Sequence, residues 1–148
     1  EDSEPVWEEY EQLNPRLISL PETSAVYGLT HTDIRTENAV WDGAQVRIID
    51  FDEPVYHWYA SDIMRPFLEF ARLPADRFDP LFDAFLAGYR VVREFPDTWV
   101  EELPLFARMK NLGFYWWISV NSTKKGDRYA EWLKGIRVRF GATRLRLD

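Results

Sequence analysis

Two short segments of this 148-residue chain hold the side chains best suited to chemistry, His31-Thr32-Asp33-Ile34-Arg35-Thr36-Glu37-Asn38 and Ile49-Asp50-Phe51-Asp52. Asn38 offers a neutral amide oxygen and Asp50 an anionic one, a mixed pair suited to a Mg²⁺ ion that must keep positions open for phosphate and water. Asp33 offers a carboxylate, the group that takes or orients a hydroxyl proton when held within hydrogen-bond reach of it. The chain has no cysteine, so metal ligands must come from oxygen donors or from its two histidines, which favours Mg²⁺ over Zn²⁺. Taken singly, each of these residues also reads as an ordinary turn residue bonding its own backbone.

The elements between the two segments give the spacing a physical reason. Residues 39–41 and 45–49 read as strands joined at Asp42-Gly43, a strong tight-turn signal. Asn38 and Asp50 then sit at the two ends of one hairpin, and a hairpin brings its ends together. Two oxygen ligands distant in sequence meet without needing a long-range contact.

The ordered set, with Gly28-Leu29-Thr30-His31 leading in and Tyr56-His57-Trp58-Tyr59, where an aromatic-rich turn is expected, followed by Asp62-Ile63, resembles the C-terminal lobe of the aminoglycoside phosphotransferase and choline kinase family, over roughly residues 27–65. That resemblance implies an α+β, mostly α-helical lobe of a protein-kinase-like fold, with a small β-hairpin carrying the catalytic and metal loops. It implies a cytoplasmic, ATP-dependent phosphotransferase acting on a small-molecule hydroxyl. Asp33 would be the catalytic base or orient the hydroxyl, Asn38 and Asp50 would hold Mg²⁺ and nucleotide, and Asp52 would hold a second metal, support the first ion through water, or stand as a solvent-facing loop carboxylate. His31 would brace the loop through hydrogen bonds, and Arg35 is either a cation beside the γ-phosphate or a surface arginine. Asp62 would receive backbone N–H groups of the catalytic loop, or face the helix dipole, or both. His57, Trp58, Trp116 and Trp117 are candidates for the substrate wall, with aromatic core packing as the competing role for each.

The same resemblance implies an ATP-clamping N-terminal lobe with a Gly-rich loop and a strand lysine. Neither appears in the thirty or so residues before Asp33, so this lobe is expected to be absent from the chain, to be its natural partner, and to be needed for activity. The rival reading is a non-catalytic kinase-like module that homodimerises through the exposed lobe surface. A weaker third is a metal-dependent phosphoesterase.

Composition bounds these readings. Hydrophobic residues at 46%, aromatics at 16%, place the chain among folded globular proteins, long enough for one domain. The domain is expected to span 1–148, as a helix over 1–20, the catalytic loop and hairpin over 25–55, and a helical acceptor-binding subdomain over 60–148. A net charge of −7 argues against a nucleic-acid partner, although basic residues gather after Asn121. No apolar run approaches the ~20 residues of a membrane span.

The helical pattern is legible in outline. Val6, Tyr10, Leu13 and Leu17 mark one face of a helix over 5–20, with Pro15 near its end. A helix follows Asp62, with Pro66 in its first turn, and another is expected to start at an Asp79-Pro80 cap. Asp97 or Thr98 caps a further stretch that passes Pro104 into an apolar helix through Met109, Leu112, Phe114 and Ile118. A last helix is expected from about Asp127, with Tyr129, Trp132, Leu133, Ile136 and Phe140 inward.

Overall fold

The structure is a computed structural model that describes residues 4–70 and 73–125; the helix expected from Asp127 lies outside the described residues. In order, its elements are α1 (Glu4–Ser19), β1 (Tyr27–Thr30), β2 (Ala39–Trp41), β3 (Val46–Ile48), β4 (Val55–Trp58), α2 (Tyr59–Phe70), α3 (Ala75–Val92), α4 (Asp97–Val100) and α5 (Leu103–Lys125). A 3-10 turn over Thr36–Asn38 precedes β2. Described residues gather into two compact units: α1 with α5 from Pro104 onward, and the stretch Pro21–Leu103.

In the first unit Leu13 and Ile118 are buried, and Val6, Leu112, Phe114 and Tyr115 pack on Ile118. Positions 111, 114, 115 and 118 form one stripe of α5 at helical spacing. Trp116 and Trp117 lie off that stripe and are exposed, so the packing role expected of them is not realised. Tyr10 also proves exposed, and Glu9 takes the inward position instead. Its carboxylate is gripped at two points by Arg108, with Nε to Oε1 at 2.7 Å and Nη2 to Oε2 at 2.8 Å. That pairing raises the Arg108 pKa further above its ordinary value.

The second unit nests one ribbon inside another. β1 and β4 pair antiparallel with Gly28 opposite His57, and everything between them, including the β2–β3 hairpin, forms the loop that they close. β4 corrects the expectation of an aromatic turn at residues 56–59. Its Val55, Tyr56, His57 and Trp58 run extended because each meets a partner on β1, and the strand passes directly into α2. Pro66 consequently lies in the interior of α2, where it deletes the hydrogen bond to the Asp62 carbonyl that any other residue would make.

At the β2–β3 turn the Asp42 carboxylate accepts the N–H groups of Ala44 and Gln45 at 3.0 Å each and the Arg47 Nε–H at 2.7 Å. Arg47 first, then those backbone donors, hold the Asp42 pKa down at about 2. Gly43 takes a positive φ of 97°, which the turn requires.

α2 buries Ala60, Ile63, Met64 and Phe67 on one stripe. Phe67 meets the edges of Phe78, Phe82 and Phe85, with ring centroids 5.0–5.8 Å apart. This cluster explains why α3 starts at Ala75, with Asp79 and Pro80 inside it. Phe78 reaches Phe67 and stacks on Phe82 when the helix continues upstream of the local Asp-Pro signal.

Gly28 is required by a close approach. A Cβ there would sit 2.1 Å from the Tyr59 hydroxyl. The Tyr59 ring cannot easily retreat, because the Arg93 guanidinium lies 4.0 Å from its centroid and is itself held by the carbonyls of Ser24 and Ala25. Gly28→Ala is therefore expected to cost about 1–3 kcal/mol, the usual penalty of overpacking. Urea unfolding checks it, and unchanged stability would show that Tyr59 moves freely.

Candidate active site

β1 delivers the chain to the site. Thr30 is buried and its hydroxyl donates to the Val55 carbonyl at 2.9 Å, fixing the strand end. The next two N–H groups, of His31 and Thr32, donate to the two carboxylate oxygens of Asp62 at 2.7 and 2.8 Å. Thr32 has a φ of 71°, rare for a β-branched residue. Such a conformation costs on the order of 1–3 kcal/mol and persists only where its surroundings impose it; here Asp62 and a hydroxyl contact to the Glu53 carbonyl do so.

His31 joins the two chemical segments. Its Nδ1 faces the Asp33 N–H at 3.4 Å and therefore accepts, which puts the proton on Nε2, and Nε2–H donates to the Ile49 carbonyl at 2.9 Å. The ring is buried, with the Phe51 ring edge-on at 4.9 Å. Nδ1 braces the loop that His31 belongs to, and Nε2 ties that loop to the second segment.

Asp33 is the centre of the arrangement, with a side chain 43% exposed. Its Oδ1 accepts from Arg65 Nε at 3.1 Å and Nη2 at 2.7 Å. Its Oδ2 faces Asn38 Nδ2 at 3.3 Å and Arg35 Nε at 3.1 Å; the latter is an approach of charges without hydrogen-bond alignment. Arg35 also lies 3.6 Å from Glu37.

Asn38 is buried, and its Nδ2 donates to the Asp33 backbone carbonyl at 3.0 Å. A carbonyl can only accept, so this contact fixes the amide orientation and turns Oδ1 away as an acceptor or ligand. The Ile49 N–H donates to the Asn38 carbonyl at 2.9 Å, which extends the hairpin by one rung and sets Asp50 one residue beyond Asn38's partner. Asp50 is exposed with a φ of 67°. Thr32 and Asp50 are the two non-glycine residues with positive φ among those described, and both belong to this site.

His31, Asp33, Arg35, Asn38 and Asp62 are thus linked by direct contacts, and Asp50 adjoins them through Ile49. Asp52 is exposed two residues further on. Among the described residues no group of three or more His, Cys, Asp or Glu side chains forms a metal cage. An amide oxygen and one carboxylate suit an ion that draws its other ligands from phosphate and water, as Mg²⁺ does. Trp58 is occupied by packing, its Nε1–H on the Pro21 carbonyl and its ring edge-on to Tyr27, and His57 is half-buried beside it. Trp116 and Trp117 belong to the other unit.

The sequence reading missed Arg65 and Glu69. Arg65 is 5% exposed, and Glu69 holds the loop further on, its Oε2 accepting from the Thr36 N–H at 3.2 Å and hydroxyl at 2.7 Å. Their signal was spacing: positions 62, 65 and 69 share one face of α2.

The model of the phosphotransferase enzyme family matches residues 1–105. The chain belongs to this family. The match takes in every residue of the site just described. Among curated phosphotransferases, the amicoumacin kinase of Bacillus subtilis (strain 168) is 27% identical over 122 residues, 78% of this chain. The chain spans only 36% of that relative's length. Two solved structures share the fold: an amicoumacin kinase in complex with AMP-PNP, Ca²⁺ and Ami, with a TM-score of 0.80 at 24% identity, and a microcompartment-associated aminopropanol kinase, with 0.74 at 22%. They are matched over 94% and 93% of this chain and 44% and 42% of their own. The chain is therefore part of a protein-kinase-like fold, mostly helical with small sheets. No helix among its described residues is long and apolar enough to cross a membrane.

Proposed function

We propose that this chain carries the catalytic loop and acceptor-binding helices of an ATP-dependent kinase that transfers the γ-phosphoryl group to a hydroxyl of a small molecule. The observation that carries this reading is the Asp33 carboxylate, half-exposed, on a loop held at His31, Thr32 and Thr36, with the Asn38 amide bonded beside it. The alcohol oxygen forms the new P–O bond, its proton passes to Asp33, and ADP leaves with the β–γ bridging oxygen. Asn38 Oδ1 and Asp50 would hold Mg²⁺, with Asp52 in support; when bound, the ion supplies charge neutralisation on the phosphates. Arg35, a short swing from Asp33, adds positive charge for the group in transfer.

The nucleotide and divalent cation in the amicoumacin kinase structure support the choice of co-substrate and ion class. Dependence on ATP argues for a cytoplasmic site. An acidic chain suits a cationic acceptor, and the names of the relatives are consistent with an amine-bearing one. The hairpin and the segment after it expose Trp41, Val46, Ile48, Ile49 and Phe51, apolar surface that supports the need for a covering N-terminal lobe before turnover.

The test is ³¹P NMR of the complete protein with ATP, Mg²⁺ and a panel of amino alcohols and aminoglycosides. A phosphate monoester should grow in step with ADP, and the 148-residue chain alone should give none. Release of phosphate from ester substrates without ATP would instead favour a phosphoesterase.

A further inference from the structure

We infer that Arg65 is a positioning residue for Asp33, with Glu69 setting its place against the loop. The inference rests on the kinase reading above and adds a residue that acts on the reacting carboxylate from behind. A carboxylate at the head of a loop can rotate, and either oxygen can turn towards an incoming alcohol. Here both Arg65 donors, Nε at 3.1 Å and Nη2 at 2.7 Å, fall on the same oxygen, Oδ1. The more usual guanidinium–carboxylate fork spreads its two bonds over two oxygens. Concentrating them on one removes Oδ1 from use and presents Oδ2 on the side where Asn38 and Arg35 lie.

Arg65 is itself immobilised. It is buried, and its Nη1 lies 3.5 Å from Glu69 Oε1, while the other oxygen of Glu69 holds Thr36. Successive polar residues along one face of α2 therefore grip successive residues of the loop: Asp62 takes His31 and Thr32, Arg65 takes Asp33, Glu69 takes Thr36. The first holds backbone and the last holds the Thr36 N–H and hydroxyl, and together they would suffice to fix the path of the loop. Arg65 alone reaches the side chain that does chemistry, so its effect should appear in the chemical step beyond any effect on folding.

A double-mutant cycle in the complete protein tests this, using Arg65→Met, Asp33→Asn and the pair, with kcat, KM for ATP and thermal unfolding measured on each. Arg65→Met is expected to lower kcat by about 10²-fold, the cost of a misplaced reacting group. KM for ATP should stay within about threefold, Arg65→Lys should recover part of the loss, and in the Asp33→Asn background Arg65→Met should cost nothing further. Should Arg65→Met not fold, Arg65→Lys and Glu69→Gln serve instead, each expected to lower kcat several-fold at unchanged KM. The inference is overturned if kcat survives these changes while Asp33→Asn abolishes turnover, or if the losses at 65 and 33 simply multiply. Full turnover by Asp33→Asn would overturn the kinase reading, and this inference with it.

Discussion

Asp33→Asn in the complete protein is expected to lower kcat by about 10²–10⁴-fold, the usual contribution of a positioned proton acceptor, or ~3–5 kcal/mol of transition-state stabilisation. Asparagine is the informative replacement. Arg65 is buried against Asp33, and Asp33→Ala would leave that cation short of a partner, mixing a stability loss into the activity loss. An amide keeps an oxygen for Arg65 and cannot take the proton. Thermal unfolding should therefore change little while steady-state turnover collapses. A kcat within threefold of the unaltered protein would remove Asp33 from the chemistry.

Asp50→Asn is expected to damage turnover to a comparable degree. The substitution keeps the backbone, since asparagine shares with aspartate a tolerance for the positive φ of 67° found here. Alanine would add on the order of 1 kcal/mol of strain in that conformation and blur the result. What asparagine removes is the anionic ligand, and several kcal/mol of charge stabilisation go with it, so kcat should fall by roughly 10³-fold. Calorimetry should show the same variant losing the Mg²⁺-dependent part of nucleotide binding. Retention of that dependence would move the metal ligand elsewhere.

The parts of this molecule legible in its sequence are those whose partners lie close by. Asp42-Gly43 announces the hairpin because the turn satisfies its own carboxylate within five residues. The spacing of Asp33, Asn38 and Asp50 is readable because one local ribbon joins them. Illegible features depend on distant partners. β4 looked like an aromatic turn because its hydrogen-bonding mate, β1, ends twenty-five residues earlier. Glu9 displaces Tyr10 from the interior only because Arg108, 99 residues away, arrives to neutralise it. The Asp79-Pro80 signal misled because the packing of Phe78 on Phe67 and Phe82 outweighs a local capping preference. Arg65 carries no local mark of its role; its partner, Asp33, lies 32 residues before it.

These omissions share a consequence for the site. The motif names the groups that would touch substrate, whereas their supports sit on α2, where sequence alone shows only a helix with a polar stripe. The strained Thr32 depends on those supports, and the amide of Asn38 is fixed from within its own loop. Both become visible only when Asp62 and the Asp33 carbonyl are seen to hold them.

The most direct test of the central claim is a crystal structure of the complete protein with Mn²⁺ and a non-hydrolysable ATP analogue, read by anomalous scattering. An anomalous peak at ligand distance from both Asn38 Oδ1 and the Asp50 carboxylate, with Asp33 facing the terminal phosphate from the acceptor side, is the predicted result. A peak away from both residues, or Asp33 turned from the phosphate, would contradict it.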